Sequence, residues 1–417
     1  MLFPSTISAR PAVRSAARAL SAARAKDRLP HHALPFTSSR PMSSSMLTGT
    51  LPDDERYPEW ASEEARAAAS SLVHRFPVDS SEPVLITSQR IHSTPLLQLR
   101  VLLEEMVPLS RTRADRNPLA LNLAESLSNG SPLIPSEHLS LFTPLVPSSA
   151  LGRDGSDQTF NPPAPFTRRM WAGGEMHFSH GRPLKVEQVA EERTWIEKVD
   201  IKRTKAGDEM LVVWVRKEIG DGEGESIVDL RSWVFQRTLD PSADRRKLPE
   251  PSRIPAEEAH RPLQVAQPST LGLAPGATPV IQTPATLFRY SALTYNAHAI
   301  HLDAQWARER EGHPTTVVHG PMTLSLLLRK WLAINTSDPS VKGAAQVPQL
   351  GSVNYRAKRP LWTGERYWVG CQEGLEDTML AVKDDGTVVM EASISRLQGD
   401  ATSHKDEHIR VKRKGSK

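Results

Sequence analysis

The stretch LFRYSALTYNAHAIHLDAQWAREREGHPTTVVHGPMTLSLLLRKW, residues 287–331, crowds Asn296, His298, His301 and Asp303 into eight positions, then sets His319-Gly320 before an apolar run. No other part of the chain brings titratable and amide side chains so close to a hydrophobic element. In residues 321–332, Met322, Leu324, Leu326, Leu327, Leu328, Trp331 and Leu332 leave few polar positions, the pattern of a helix buried on most sides. Residues 304–310 predict a shorter helix.

Downstream of this stretch lie four strand-like runs, 351–361, 365–372, 378–384 and 387–397, the last two joined at Asp385-Gly386, a strong hairpin signal. Upstream, β-branched and aromatic residues recur over 186–203, 209–218 and 226–236. The Gly-Asp-Gly-Glu-Gly run at 220–224 joins the last two of these as a turn. It is no phosphate cradle, because acids separate the glycines and a strand follows. Residues 63–74 and 95–106 predict helices, and the proline-rich 108–168 reads as irregular covering. In RRMWAGGEMHF, residues 168–178, Gly173-Gly174 is read as a turn before a strand. Residues 240–283 have the proline-rich composition of a linker. Two helix-then-sheet units in tandem predict an α+β protein of duplicated architecture, although no residue-level repeat is visible.

With 417 residues the chain can bury a substantial core. Its single cysteine, Cys371, excludes an intramolecular disulfide and any cysteine-based zinc site, which fits a reducing compartment. No apolar run approaches the roughly 20 residues of a membrane span. The net charge of +4 is carried by the chain ends, so a nucleic-acid partner is not indicated. Arg10, Arg14, Arg18, Arg24 and Lys26 precede the first acid, Asp27, and the four-residue arginine spacing would line one helix face. Residues 1–45 are therefore expected to be a mitochondrial transit peptide, with a disordered basic leader as the other reading, and residues 399–417 a solvated basic tail.

FRYSALTYNAHAIHLD followed by VVHGPM resembles the fungal mitochondrial 3-hydroxyacyl-thioester dehydratases, in the MaoC-like, hydratase-2 branch of the hot-dog fold, and RRMWAGGEMHF looks like the noncatalytic half of that group. The resemblance implies a tandem hot-dog with antiparallel sheets each wrapping a helix: a degenerate N-terminal half over 46–239, and a catalytic half over 284–398. The broader hydratase-2 signature is Asp, then Asn-Pro, then His five residues after the Asp. Here Asn296 stands at the acid position, His298 and Ala299 replace Asn-Pro, and His301 keeps the histidine.

Dehydrating a 3-hydroxyacyl thioester requires removal of an α-proton, stabilisation of charge on the thioester oxygen and protonation of the departing hydroxyl. A histidine of pKa about 6.5 suits the proton transfers, assigned to His301. Asn296 would hold the hydroxyl, and Gly320 with His319 would bind the thioester oxygen at the helix start. His298 and Asp303 are expected in support, Asp303 as a helix N-cap in preference to a histidine partner. No metal is expected, since the histidines lack a third well-spaced ligand, and no cofactor is needed. Arg168-Arg169 reads as a solvated pair, with an anionic carrier or nucleotide group as the other reading. The resemblance implies a (3R)-3-hydroxyacyl substrate on acyl carrier protein or CoA, in mitochondrial fatty acid synthesis. A homodimer is compatible with this reading. The alternatives are an itaconyl- or mesaconyl-CoA-type hydratase of organic-acid breakdown, and a noncatalytic thioester-binding protein.

Overall fold

The computed structural model describes residues 57–78, 80–109, 127–239, 268–335 and 350–397. The expected leader (1–45), the basic tail (399–417) and most of the expected linker (240–267) lie outside these residues. The order is α1 (Glu63–Arg75), β1 (Leu85–Arg90), α2 (Ser93–Glu104), β2 (Arg168–Phe178), β3 (Val189–Arg203), β4 (Glu209–Gly220) and β5 (Glu225–Gln236). It continues with β6 (Thr278–Ile281), α3 (Pro284–Leu293), α4 (Ala304–Glu309), α5 (Gly320–Asn335), β7 (Leu350–Ala357), β8 (Arg366–Gln372), β9 (Leu375–Lys383) and β10 (Val388–Arg396).

The ten strands form one antiparallel sheet in the order β1-β3-β4-β5-β2-β7-β10-β9-β8-β6. Counted within each half, both sets of five strands run first, third, fourth, fifth, second. The duplication that no residue repeat reveals is thus present in the topology, and the fold is an α+β double hot-dog. The halves meet where β2 pairs with β7, from Gly173 opposite Arg356 to His177 opposite Ser352.

The C-terminal strands wrap α5, whose Met322, Leu324, Leu326, Leu327, Leu328 and Trp331 are fully buried. Arg329 on the same helix is also buried. Its Nε donates to the Val107 carbonyl (2.6 Å), and its guanidinium pairs with Glu104 of α2. An internal cation is tolerated there because its hydrogen bonds are made. Helix α2 takes the place in the N-terminal half that α5 takes in the other. It gives Leu99, Leu102 and Leu103 to the core around α5, and Leu96, with partly buried Leu97, to a cluster under its own strands. The face left over β3 and β4 is covered by α1 through Ala65, Ala68, Ala69 and Leu72. The Ser62 hydroxyl caps α1 by accepting from the Ala65 N–H.

Two local readings are corrected. Gly173-Gly174 is not a turn: both lie inside β2, flanked by β5 and β7. A Cβ on Gly174 would come within 2.2 Å of the Leu230 carbonyl oxygen and 2.6 Å of Tyr355 Oη, so the glycines serve strand approach at the seam. The linker does not reach residue 283, because Thr278–Ile281 is the edge strand β6, pairing only with β8. Pro279 is admissible there since an edge strand leaves one side unbonded. Residues 284–293 are helix α3, with Pro at its first turn and a reciprocal Thr283/Thr286 capping box. None of the described helices is long and apolar enough to cross a membrane.

Candidate active site

Helix α3 ends just before Tyr295, whose φ of 50° turns the chain sharply, and the Asn296 N–H returns to the Ser291 carbonyl (2.9 Å). The Asn296 side-chain oxygen then accepts the His298 N–H (3.1 Å), an Asx turn that leaves the carboxamide nitrogen unengaged among the described residues. A single 3-10 turn, Ala299–His301, follows. The His301 Nδ1–H donates to the Val317 carbonyl (2.7 Å), so its Nε2 carries the free lone pair. This loop and the start of α5 wall a cavity of about 300 Å³, to which Asn296, His298, His301, His319 and Gly320 all contribute.

The histidines form a stack. His301 and His319 lie parallel with ring centroids 3.7 Å apart, and His298 meets His301 edge-on at 5.6 Å. Burial pushes His301 well below its ordinary pKa, and the neighbouring His319 and His298 push it the same way. Burial, with a smaller push from His298, takes His319 down to about 3, and burial leads the lowering of His298. All three are neutral bases near pH 7. The His319 Nε2 engages Ser291 Oγ (2.8 Å) and its ring face backs His301.

Helix α5 begins at Gly320, and its first intrahelical bond is from the Thr323 N–H to the His319 carbonyl. The N–H groups of Gly320 and Met322 therefore have no intrahelical acceptor. Glycine at 320 does not open space for a ligand. A Cβ there would lie 2.3 Å from Trp171 Cε3, so the indole from β2 closes over the helix start. Asp303 takes the N-cap of α4, its Oδ1 accepting the Trp306 N–H (2.9 Å), and is exposed.

The carboxylate that does meet a histidine comes from the other half. Asp154 Oδ2 lies 3.2 Å from His298 Nε2, and the Asp154 carbonyl accepts the Ala299 N–H (2.7 Å). Burial raises the Asp154 pKa, but hydrogen bonds from His298 and Ser156 outweigh it and hold the carboxyl well below the usual range. Both directions are satisfied by an ionised Asp154 accepting from a neutral His298 Nε2–H. Arg169 and Trp171 of β2 also line the cavity, as does His313, which burial takes down to about 4. Local sequence pattern gives no sign of Asp154, which sits in the segment read as irregular covering. Arg168 and Arg169 part company: Arg168 pairs with Glu311 (3.1 Å), while Arg169 faces the cavity.

Neutral histidines, an amide and a helix N-terminus, gathered at the seam of a double hot-dog, define a candidate acid–base site. The chain belongs to the hydroxyacyl-thioester dehydratase type 2 family, whose pattern matches residues 136–363, more than half of its length. It is 36% identical over 213 residues to a mesaconyl-C(4)-CoA hydratase of Chloroflexus aurantiacus, covering 51% of this chain and 68% of that one. It is 27% identical over 225 residues to the mitochondrial hydroxyacyl-thioester dehydratase type 2 of Schizosaccharomyces pombe, covering 48% of this chain and 68% of that one. Among solved structures, a MaoC-like dehydratase from Phytophthora capsici is similar at TM-score 0.48 and 15% identity, over 77% of this chain and 98% of that one. The protein is an enzyme of the hydro-lyase type.

Proposed function

We propose that the protein interconverts 3-hydroxyacyl and trans-2-enoyl thioesters at the loop 296–301, with His301 as the proton-transfer group. The observation that carries this reading is the His301 Nδ1–H bond to the Val317 carbonyl, which leaves Nε2 as a neutral base on the cavity shared with Asn296 and the start of α5. In the dehydration direction Nε2 takes the proton from C2, the hydroxyl leaves from C3 with that proton, and one water is released. The reverse adds water across the double bond without redox change. Asn296 would hold the hydroxyl or water through its carboxamide nitrogen, and the Gly320 N–H would meet the charge developing on the thioester oxygen. His298 supports the loop through Asp154, His319 backs His301, and Asp303 caps α4. On this reading catalysis belongs to residues 284–398, and residues 46–239 supply the covering half.

Two substrate readings follow. A (3R)-3-hydroxyacyl chain on acyl carrier protein, in mitochondrial fatty acid synthesis, is supported by the basic leader, with no acid before Asp27, and by the likeness to the S. pombe enzyme. A short dicarboxylyl-CoA is supported by the likeness to the C. aurantiacus hydratase. Turnover of a 3-hydroxyacyl carrier protein beside short dicarboxylyl-CoAs separates them. The chemical assignment is tested by His301→Ala, expected to lower kcat about 10³-fold in the range typical of a lost acid–base group, at unchanged melting temperature. Unchanged turnover would leave a noncatalytic thioester-binding protein as the better account.

A further inference from the structure

Arg169 is a half-buried cation left without an ion pair. Its Nη1 donates to the Asp157 carbonyl (3.0 Å) and to Asn161 Oδ1 (3.2 Å), and its guanidinium carbon sits 5.8 Å from the Trp233 ring centroid. These contacts fix the group in place but neutralise nothing. Among the described residues no carboxylate lies within ion-pairing distance of it, and Nε and Nη2 have no partner. The two nearest acids are committed elsewhere, Asp154 to His298 and Ser156, and Asp157 to the N–H and hydroxyl of Thr159. Nε and Nη2 are not sealed from solvent, and Arg169 lines the same cavity as His301 and Asn296.

An arginine is charged at any working pH, and withdrawing such a charge from water without a counter-ion is strongly unfavourable. Nε–H and Nη2–H lie along one edge of the guanidinium, the fork that grips a carboxylate through two parallel hydrogen bonds. The same cavity holds His301 and Asn296, which places the anion beside the reacting carbons. The phosphates of a CoA or carrier-protein arm are separated from the thioester sulfur by the whole pantetheine chain, so the acyl group itself is the source of an anion at this depth.

We infer that Arg169 receives a free carboxylate at the distal end of the acyl chain, and that the substrates are monothioesters of short dicarboxylic acids. The inference rests on the hydro-lyase reading of His301 and selects between its two substrate classes. A site built around a buried polar group rejects an analogue that leaves that group unpaired, by large factors.

The test compares kcat/KM of the full chain for mesaconyl-CoA and crotonyl-CoA, which share a conjugated enoyl thioester and differ in the terminal carboxylate. The wild type should favour mesaconyl-CoA. Arg169→Gln should lower the ratio of the two kcat/KM values about 100-fold, with Arg169→Lys, which keeps charge but not the fork, in between. Wild-type indifference to the carboxylate, or an equal fall on both substrates in folded variants, overturns the inference and leaves His301 untouched. An inactive wild type on both overturns the inference together with the reading beneath it. A measurement that needs no variant is inhibition of crotonyl-CoA hydration by saturated analogues. Succinyl-CoA should bind at least ~10-fold more tightly than butyryl-CoA, and equal inhibition overturns the inference.

Discussion

The two five-strand halves share a strand order and differ in what lies between their first and second strands. In the C-terminal half that interval folds as α3, the loop 296–301, α4 and the buried α5. In the N-terminal half it holds α2, three of whose buried leucines serve the other core, and an irregular run with only short 3-10 turns among its described residues. Yet this run is not idle covering. It carries Asp154 to His298 and seats Gly155 against the Ala297 carbonyl, while β2 behind it contributes Arg169 and Trp171 to the same cavity. One copy of the fold keeps a loop of histidines, and the other becomes the wall that fixes and charges it.

The largest effect that would break this division of labour is at the contact between Trp171 and Gly320. Gly320→Ala places a methyl 2.3 Å from Trp171 Cε3, and the indole is held by a 4.7 Å stack on Tyr355, so the helix start must shift. Overpacking of this kind costs about 1–3 kcal/mol, and displacement of the first turn should lower kcat at least ~100-fold. Adding Trp171→Leu should recover stability in urea melts. If the single variant is as stable and active as wild type, the N-terminal half does not hold the helix start.

A smaller effect is expected at Asp154. Asp154→Asn leaves the backbone bond from the Ala299 N–H intact and removes only the charge facing His298 Nε2, so it separates loop anchoring from electrostatics. We expect kcat for enoyl-thioester hydration to fall about 10-fold, with the acid limb of the pH–rate profile displaced because the His298 tautomer is no longer fixed. A kcat and profile matching wild type would assign the clasp to the backbone alone.

How much of this was legible depended on how local each cause is. The apolar run from Met322 to Leu332 announces a buried helix because its own side chains make the core. The Asn-x-His-x-x-His cluster is likewise local, and the loop brings its members together. Gly173-Gly174 misled because glycine signals a turn when the backbone bends, but a close approach when two strands press on it, and only the partner strands tell these apart. Strand β6 was hidden by Pro279, tolerable solely because that strand is an edge, while α3 begins just past the expected linker on a Thr283/Thr286 capping box that was not read as a helix start. Asp154 could not be found at all. Its partner belongs to the other half of the chain, and the pairing depends on the closure of the whole sheet.

The remaining prediction concerns the floor under His301. His319 is 1% exposed, and burial holds its pKa at about 3, against about 6.5 for a histidine in an unfolded chain. Above pH 6.5 neither state is protonated and the full stability is present. Between 6.5 and about 3 the unfolded chain binds one more proton than the folded one, so stability falls as the pH falls, by about 1.4 kcal/mol per unit for this residue. His298 and His301 act in the same direction. His319→Gln removes one titrating group, so its urea unfolding free energy should decline less steeply than that of wild type between pH 6.5 and 5, by about one proton's worth. Parallel pH dependences would mean that His319 is protonated in the folded state. The cation would then have to find an acceptor for its buried Nδ1, which has none in the neutral stack.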